Sequence, residues 1–359
     1  MTWTSEESTG RVAGLAAAVT FGASAPLTAA LAGGSSPVLV AGLLYAGAAL
    51  VLVPVAVVRI RRRGARLPVG RDRLTLLALT LLGGIAGPVL LVTGLERLSS
   101  SVASLLLNLE AVATVLVGAV VFREHVGGRA WRALALVVAG GAVLVGAPSG
   151  GVDPIGAACI LGACCCWGVD NNLSRTLVLE DTVVVAGAKA LGAATPMLVL
   201  GVVLGGSGGV AVPAGTGLLA VGAVGYGASI SWDLVALRHL GAAREAVLFA
   251  TAPFVGAVVG LALGQPLGWA GAVAGGLMAA GIATLLREDH SHEHRHEPML
   301  HEHWHTHDDG HHDHDHPPGL EVQTGRGGRH RHLHQHREVV HTHPHVPDSH
   351  HRHTHPAPN

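Results

Sequence analysis

Apolar residues run along this chain in blocks of about twenty up to residue 286, each block ended by glycine, proline, serine or arginine, and then they stop. A helix rising ~1.5 Å per residue needs roughly 20 residues to cross a ~30 Å hydrocarbon layer. The blocks therefore predict ten membrane-spanning helices, over 12–32, 37–58, 74–94, 101–122, 130–147, 155–175, 182–205, 216–237, 243–263 and 267–286. Turn-forming runs at 33–37, 147–151 and 205–209 separate several of them. Because the blocks are continuous and do not alternate, they argue against barrel strands of ~10 residues.

The pattern occurs twice. Leu95-Glu96-Arg97-Leu98 recurs as Leu237-Arg238-His239-Leu240, Ala139-Gly140-Gly141 faces Ala280-Gly281-Ile282, and Phe21-Gly22 matches Trp167-Gly168. Five spans per copy is an odd number, so the second copy enters the membrane from the opposite side. The fold class expected is an all-α membrane protein of ten transmembrane helices, arranged as two inverted five-helix repeats with a disordered His-rich C-terminal tail. Its parts are a short N-terminus (1–11), a first repeat (12–147), a second repeat (155–286) and the tail (287–359). Inverted halves are a usual build of secondary transporters, with the solute site near the bilayer midplane between them.

Composition sharpens this picture. With 49% hydrophobic and 13% charged residues, charge is too sparse to coat a water-soluble surface, so the bilayer is the first partner. The loop after the second span carries Arg59, Arg61, Arg62, Arg63, Arg66, Arg71 and Arg73, which marks it as cytoplasmic. Both termini then lie in the cytoplasm, as expected for a multi-pass protein of the inner (plasma) membrane. The N-terminal Met-Thr-Trp-Thr-Ser-Glu-Glu lacks the features of a removable signal peptide. No nucleophile constellation or phosphate loop is present, so neither an enzyme nor an ATP-driven pump is expected, and no cofactor is required. Nucleic acid is not an expected partner, while a homodimer is compatible with the pattern.

Ionised residues inside a span cost on the order of 2.5–3.5 kcal/mol on insertion scales and are placed for a reason. Lys189 is the one lysine among 23 basic residues. It and Asp170 lie almost equally far from the turn between spans six and seven, and Asp233 has a similar depth. Lys189 is therefore expected to pair with Asp170 or Asp233, either as a gate that opens on substrate or proton binding or as a permanent structural bridge. Asp170-Asn171-Asn172 points polar groups in three directions, so at least one faces the bundle interior and a local unwinding is expected. The asparagines suit either substrate contact or interhelical hydrogen bonding. Glu110 is a lone carboxyl group, fit for proton relay or for a hydrogen bond to a neighbouring helix through Asn108. Trp167 completes the candidates. Cys159, Cys164, Cys165 and Cys166 diverge too widely for a zinc site and read as packing residues.

The tail adds different chemistry. Of 25 histidines, all but His125 and His239 follow residue 289, in runs such as His290/His292/His294/His296, His301/His303/His305/His307, His311/His312/His314/His316 and His330/His332/His334/His336. Neutral imidazoles bind divalent nickel, cobalt, zinc or copper. Without metal, so polar a tract is expected to remain disordered in the cytoplasm.

Several of these stretches together resemble the EamA domains of the drug/metabolite transporter superfamily. The similarity is carried by Trp167-Gly168, by Leu107-Asn108-Leu109-Glu110 leading to Phe122-Arg123-Glu124, and by Ala252-Pro253-Phe254, over about residues 12 to 286. Two departures stand out: Glu110 is followed by Ala111 where the family pattern often has Glu-Pro, and Asp233 stands where relatives tend to be apolar. The resemblance implies a multi-pass carrier of small solutes. Two functions follow as expectations: a secondary transporter exporting a small metabolite or drug by alternating access, with proton coupling as an option, or a divalent-metal efflux protein whose tail captures the ion.

Overall fold

The computed structural model describes residues 5–124, 126–147, 152–177, 180–204 and 210–286, together with five short stretches between 291 and 344. Ten apolar helices occupy the described part of residues 5–286. They are α1 (Glu7–Ala32), α2 (Pro37–Arg62), α3 (Arg71–Leu95), α4 (Ser100–Val121), α5 (Gly128–Gly146), α6 (Pro154–Leu177), α7 (Thr182–Val203), α8 (Val212–Leu240), α9 (Arg244–Ala262) and the shorter α10 (Gly268–Thr284). Each falls where its apolar block predicts. Large side chains such as Val12, Leu50, Val120, Val203 and Val258 are more than 60% exposed. A surface of that kind is tolerated where lipid covers it.

Neither repeat packs on itself alone. α2 lies along α7, α5 along α10 and α4 along α9, while α1 of the first repeat packs on α8 and α9 of the second. In the same way α6 packs on α3 and α4. Corresponding helices of the two copies thus meet, and each copy completes the core of the other. Small residues make this possible. A Cβ built on Gly222 of α8 would collide with the Leu44 carbonyl oxygen of α2, so the two backbones are in direct contact.

The backbone departs from regular α-helix at equivalent points of the copies. α3 is π-helical over Thr80–Ala86 and α8 over Gly222–Ala228, positions separated by the same 142 residues as the Leu95/Leu237 pair. α4 is interrupted between Leu106 and Leu109, and α9 between Phe249 and Ala252. By contrast, the unwinding expected at Asp170-Asn171-Asn172 does not occur, because the α-helix continues to Ser174. The asparagine side chains find partners on neighbouring turns and on α4 without opening their own helix.

Contacts tie the copies together at both ends of the bundle. On the face that carries the arginine-rich loop, Arg59 pairs with Asp181 at 3.0 Å, Arg175 with Glu124 at 2.8 Å and Arg244 with Glu7 at 3.1 Å. At the opposite face Ser99 donates to the Pro266 carbonyl at 2.9 Å, Ser101 to that of Gln265 at 3.2 Å, and Arg97 lies 3.5 Å from Asp153. Four of these join a residue of the first copy to one of the second, and the other two use Glu7 and Asp153, which flank the copies.

The tail forms a separate unit, Asp289–Val346. Its described stretches are extended: β1 (Ser291–His296), β2 (Leu300–His305), β3 (Gln323–Thr324), β4 (His330–Gln335) and β5 (Val339–Pro344). β1 pairs antiparallel with β5, and β4 lies between β2 and β3. In the first pair the register sets His292 opposite His343 and His294 opposite His341, while His296 faces Val339. In the second it sets His301 opposite His334, His303 opposite His332 and His305 opposite His330. His290, His307, His311, His312, His314, His316 and His336 lie outside the described residues. So do all the tail's side chains, and the candidate metal ligands are placed here by backbone register alone.

The α2–α8 crossing yields a stability test. Gly222→Leu must displace the α2 backbone, an overpacking that costs about 1–3 kcal/mol. At Gly276 on α10 an added Cβ meets no atom within 4 Å, so Gly276→Leu starts into open space. Thermal unfolding of the purified protein in detergent is expected to show a lowered midpoint for the first variant and an unchanged one for the second.

Candidate functional site

The site begins with a missing hydrogen. In the π-helical register of α3 each N–H reaches five residues back, as the Gly87 amide does to Leu82. The next residue, Pro88, has no N–H, so its partner in that register, the Gly83 carbonyl, receives no bond from its own helix. Two side chains from elsewhere supply it: the Tyr45 hydroxyl of α2 donates at 2.7 Å and the Trp167 indole Nε1 of α6 at 3.1 Å. One exposed carbonyl thereby fixes three helices against each other.

Gly83 also makes the floor under Asp170. A Cβ at position 83 would overlap the Asp170 carboxyl group, so only glycine lets α6 bring that carboxylate against α3. Asp170 is 6% exposed. Its Oδ2 accepts from Lys189 Nζ at 2.6 Å, and its Oδ1 has no hydrogen-bond partner among the described residues. Lys189 reaches it from α7, past Gly84, which leaves room for the aliphatic stem. Of the two partners expected for Lys189, the structure places Asp170 beside it. Removing both charges from water is tolerable because each desolvated group faces its opposite.

Beyond this ion pair lies a cavity of about 420 Å³ between the two copies. Its wall comes from α2, α3, α6, α7 and α8 and holds Lys189, Tyr45 and Tyr226 at depth, with Ser174, Arg175 and Thr182 toward the α6–α7 connection. The two tyrosines pack at 5.8 Å between ring centroids, and Phe21 stands edge-on to Tyr226 at 5.7 Å. These are the chain's only tyrosines. Sequence reasoning passed over them, although the signal was available: in a chain only 3% aromatic, both tyrosines lie in mid-span.

The remaining candidates separate into other places. Asn172 is buried and bonds the Thr114 carbonyl at 2.9 Å and the Gly168 carbonyl at 2.8 Å, tying α6 to α4. Asn171 donates to Glu110 Oε1 at 3.0 Å and to Thr114 Oγ1 at 3.2 Å. Glu110 therefore has its partner on α6, and not through Asn108 as expected. Asn108 bonds the Leu105 carbonyl at 2.9 Å and faces Met278 of α10, which explains its burial beside the break in α4. Asp233 does not approach Lys189; its carboxyl neighbour is Glu245 of α9. Cys164 is buried with its thiol toward the Leu106 carbonyl at 3.8 Å, as a packing residue would be.

Among the described residues no three His, Cys, Asp or Glu side chains stand close enough to hold a metal ion. The metal ligands expected in the tail, His292, His294 and His296 of β1, His301, His303 and His305 of β2, and His330, His332 and His334 of β4, are described through their backbone only. Successive histidines of a His-x-His run share one face of a strand at a spacing of about 7 Å, close enough for two imidazoles to converge on one ion, and a paired strand can add further ligands. In β1 the register sets His343 opposite His292 and His341 opposite His294.

The architecture and site can be set beside known proteins. Residues 8–146 match the EamA-like transporter family. A protein named as an uncharacterized transporter, from Methanothermobacter thermautotrophicus (strain Delta H), is 26% identical over 223 residues. That match takes in 60% of this chain and 64% of the relative's length, a little under two thirds. Among solved structures, one described only as the crystal structure of a protein superposes with a TM-score of 0.57 at 21% identity, over 79% of this chain and 99% of that one. This last likeness bears on the fold alone.

The buried pair makes a stability prediction. Lys189→Met leaves Asp170 charged and unpartnered in the membrane, a loss of about 3–5 kcal/mol for a broken buried pair. The double substitution Asp170→Asn with Lys189→Met removes both charges and is expected to recover most of that loss in thermal unfolding. A double variant no more stable than Lys189→Met alone would contradict the pairing.

Proposed function

We propose that this chain is a member of the EamA-like transporter family, whose model its residues 8–146 match, that it carries a small organic solute across the membrane by alternating access, and that the solute binds in the cavity at Lys189. The observation that carries this reading is the position of the cavity. It lies between two interlocked copies, at a buried ion pair, with cross-copy ties at both ends of the bundle. A rocking of one copy against the other would break the ties at one end while keeping those at the other, exposing the same cavity to each side in turn.

The distribution of charge supports a direction. The cavity extends to the α6–α7 connection, on the same face as the arginine-rich loop, which the distribution of arginine assigns to the cytoplasm. A cavity open to the cytoplasm is poised to load a solute from within the cell, which favours export. If protons are coupled to transport, Asp170 is the carboxylate behind the cavity wall that can exchange one with Lys189, whereas Glu110 is bound by Asn171.

Counterflow in proteoliposomes, with a mixed pool of labelled amino acids, organic acids and nucleosides read by mass spectrometry, tests this reading. At least one solute is expected to exchange with wild-type protein and to lose most of its exchange with Lys189→Ala and with Asp170→Ala. Full exchange by both variants, at normal insertion, would end the assignment of the site.

The tail supports a second reading, divalent-metal efflux, because its register repeatedly sets histidine opposite histidine. We expect the untagged protein to be retained on immobilised nickel and a chain ending at Glu288 to pass through. Cellular nickel, cobalt or zinc that falls only with an intact bundle and tail would favour efflux of the metal. Unchanged metal content alongside tail-independent solute exchange would leave the tail as a metal-binding appendage.

A further inference from the structure

We infer that the solute taken by this cavity is a small amphipathic organic anion, whose carboxylate or comparable group is received by Lys189. This rests on the reading of the cavity as the transport site, and adds the class of solute to it.

The first observation is the sign of what faces the cavity. Two charged side chains line it, Lys189 and Arg175, and both are cationic; no aspartate or glutamate is part of the wall. The partners that neutralise them stand behind. Asp170 is 6% exposed, rests against Gly83 of α3 and is not part of the cavity wall. Glu124 holds Arg175 from the α4–α5 connection. A cationic solute would thus meet an ammonium group first, with the Asp170 carboxylate behind it. Like charges at that separation in a low-dielectric wall repel strongly.

The second observation is unused donor capacity. An ammonium group has three N–H donors. Asp170 Oδ2 is the hydrogen-bond acceptor found for Lys189 Nζ, while the Lys189 side chain is 19% exposed and belongs to the cavity wall. Its stem is a flexible four-carbon chain, whereas Asp170 is fixed by its floor. The ammonium is therefore the member of the pair free to swing, and an anion entering the cavity can share it or draw it away. An uncharged solute would leave those donors poorly matched, since charge-assisted hydrogen bonds are roughly twice as strong as neutral ones.

The rest of the wall defines the solute's body. Leu52, Leu79, Leu177, Val185 and Ile230 surround the remaining space, with the two tyrosine rings at its deep end. A cavity of about 420 Å³ falls in the lower part of the range of small-molecule sites, ~300–1,000 Å³. One charged head on Lys189 and one apolar body of monocyclic size match this division.

A charge series of constant shape tests the inference: benzoate, its neutral amide benzamide and cationic benzamidine, titrated by calorimetry into the full-length protein in lipid nanodiscs. Benzoate is expected to bind about tenfold or more tightly than either of the others. Asp170→Asn, which frees Lys189, is expected to tighten benzoate. The double variant Asp170→Asn with Lys189→Met, chosen because it strands no buried charge, is expected to abolish the preference. Equal or tighter binding of benzamide or benzamidine, lost in the double variant, would overturn the anion class while leaving the cavity as the site. Benzoate binding indifferent to the double variant would remove the site itself. No benzoate binding up to millimolar concentration by wild type or Asp170→Asn would also overturn the anion class.

Discussion

The Lys189–Asp170 ion pair can exist inside a membrane because α3 gives up a side chain beside it. Gly83 removes the Cβ that would occupy the carboxylate's place, and its own carbonyl, left without an N–H partner by Pro88, is satisfied by Tyr45 and Trp167. A single residue thus accommodates a charge and anchors α2 and α6. The remaining features of the site follow from it: the depth of Asp170, the reach required of Lys189 and the position of the tyrosine that begins the cavity wall.

The duplicated architecture shows how this arrangement is specialised. Ser24 of α1 meets Gly225 of the α8 π-helix as Asp170 of α6 meets Gly83 of the α3 π-helix. The same geometry is therefore built twice, once around a hydroxyl and once around a carboxylate. Ser24 donates to the Phe21 carbonyl at 2.6 Å and also hydrogen-bonds with the Tyr226 side chain, so an uncharged partner suffices. Asp170 recruits Lys189 across the hairpin. The inverted copies share a frame, while the ion chemistry belongs to one of them.

Much of this frame is legible in the amino-acid sequence, since apolar length is a direct consequence of bilayer thickness and an odd span count dictates inversion. Equal distances from the α6–α7 turn brought Asp170 and Lys189 to one level without any tertiary information. The π-helical segments were not legible, because one extra residue per turn leaves the apolar pattern intact over so short a stretch. The floor under Asp170 was hidden for the same reason: Gly83 reads as one of 50 glycines until α6 is packed against it. Partner choice also escaped where several helices could supply one. Glu110 found Asn171 on α6 and Asp233 found Glu245 on α9, contacts set by the crossing of helices and not by depth.

If the pair governs the balance between the two open forms, the copies must move as bodies about it. Nitroxide labels at Arg61 and Thr182 report one face of the bundle, and labels at Glu96 and Pro266 the other. Double electron–electron resonance in nanodiscs should give two populations, each wide at one face and narrow at the other, with Asp170→Asn changing their ratio by releasing Lys189. A single distance at each face, unmoved by Asp170→Asn, would contradict the account.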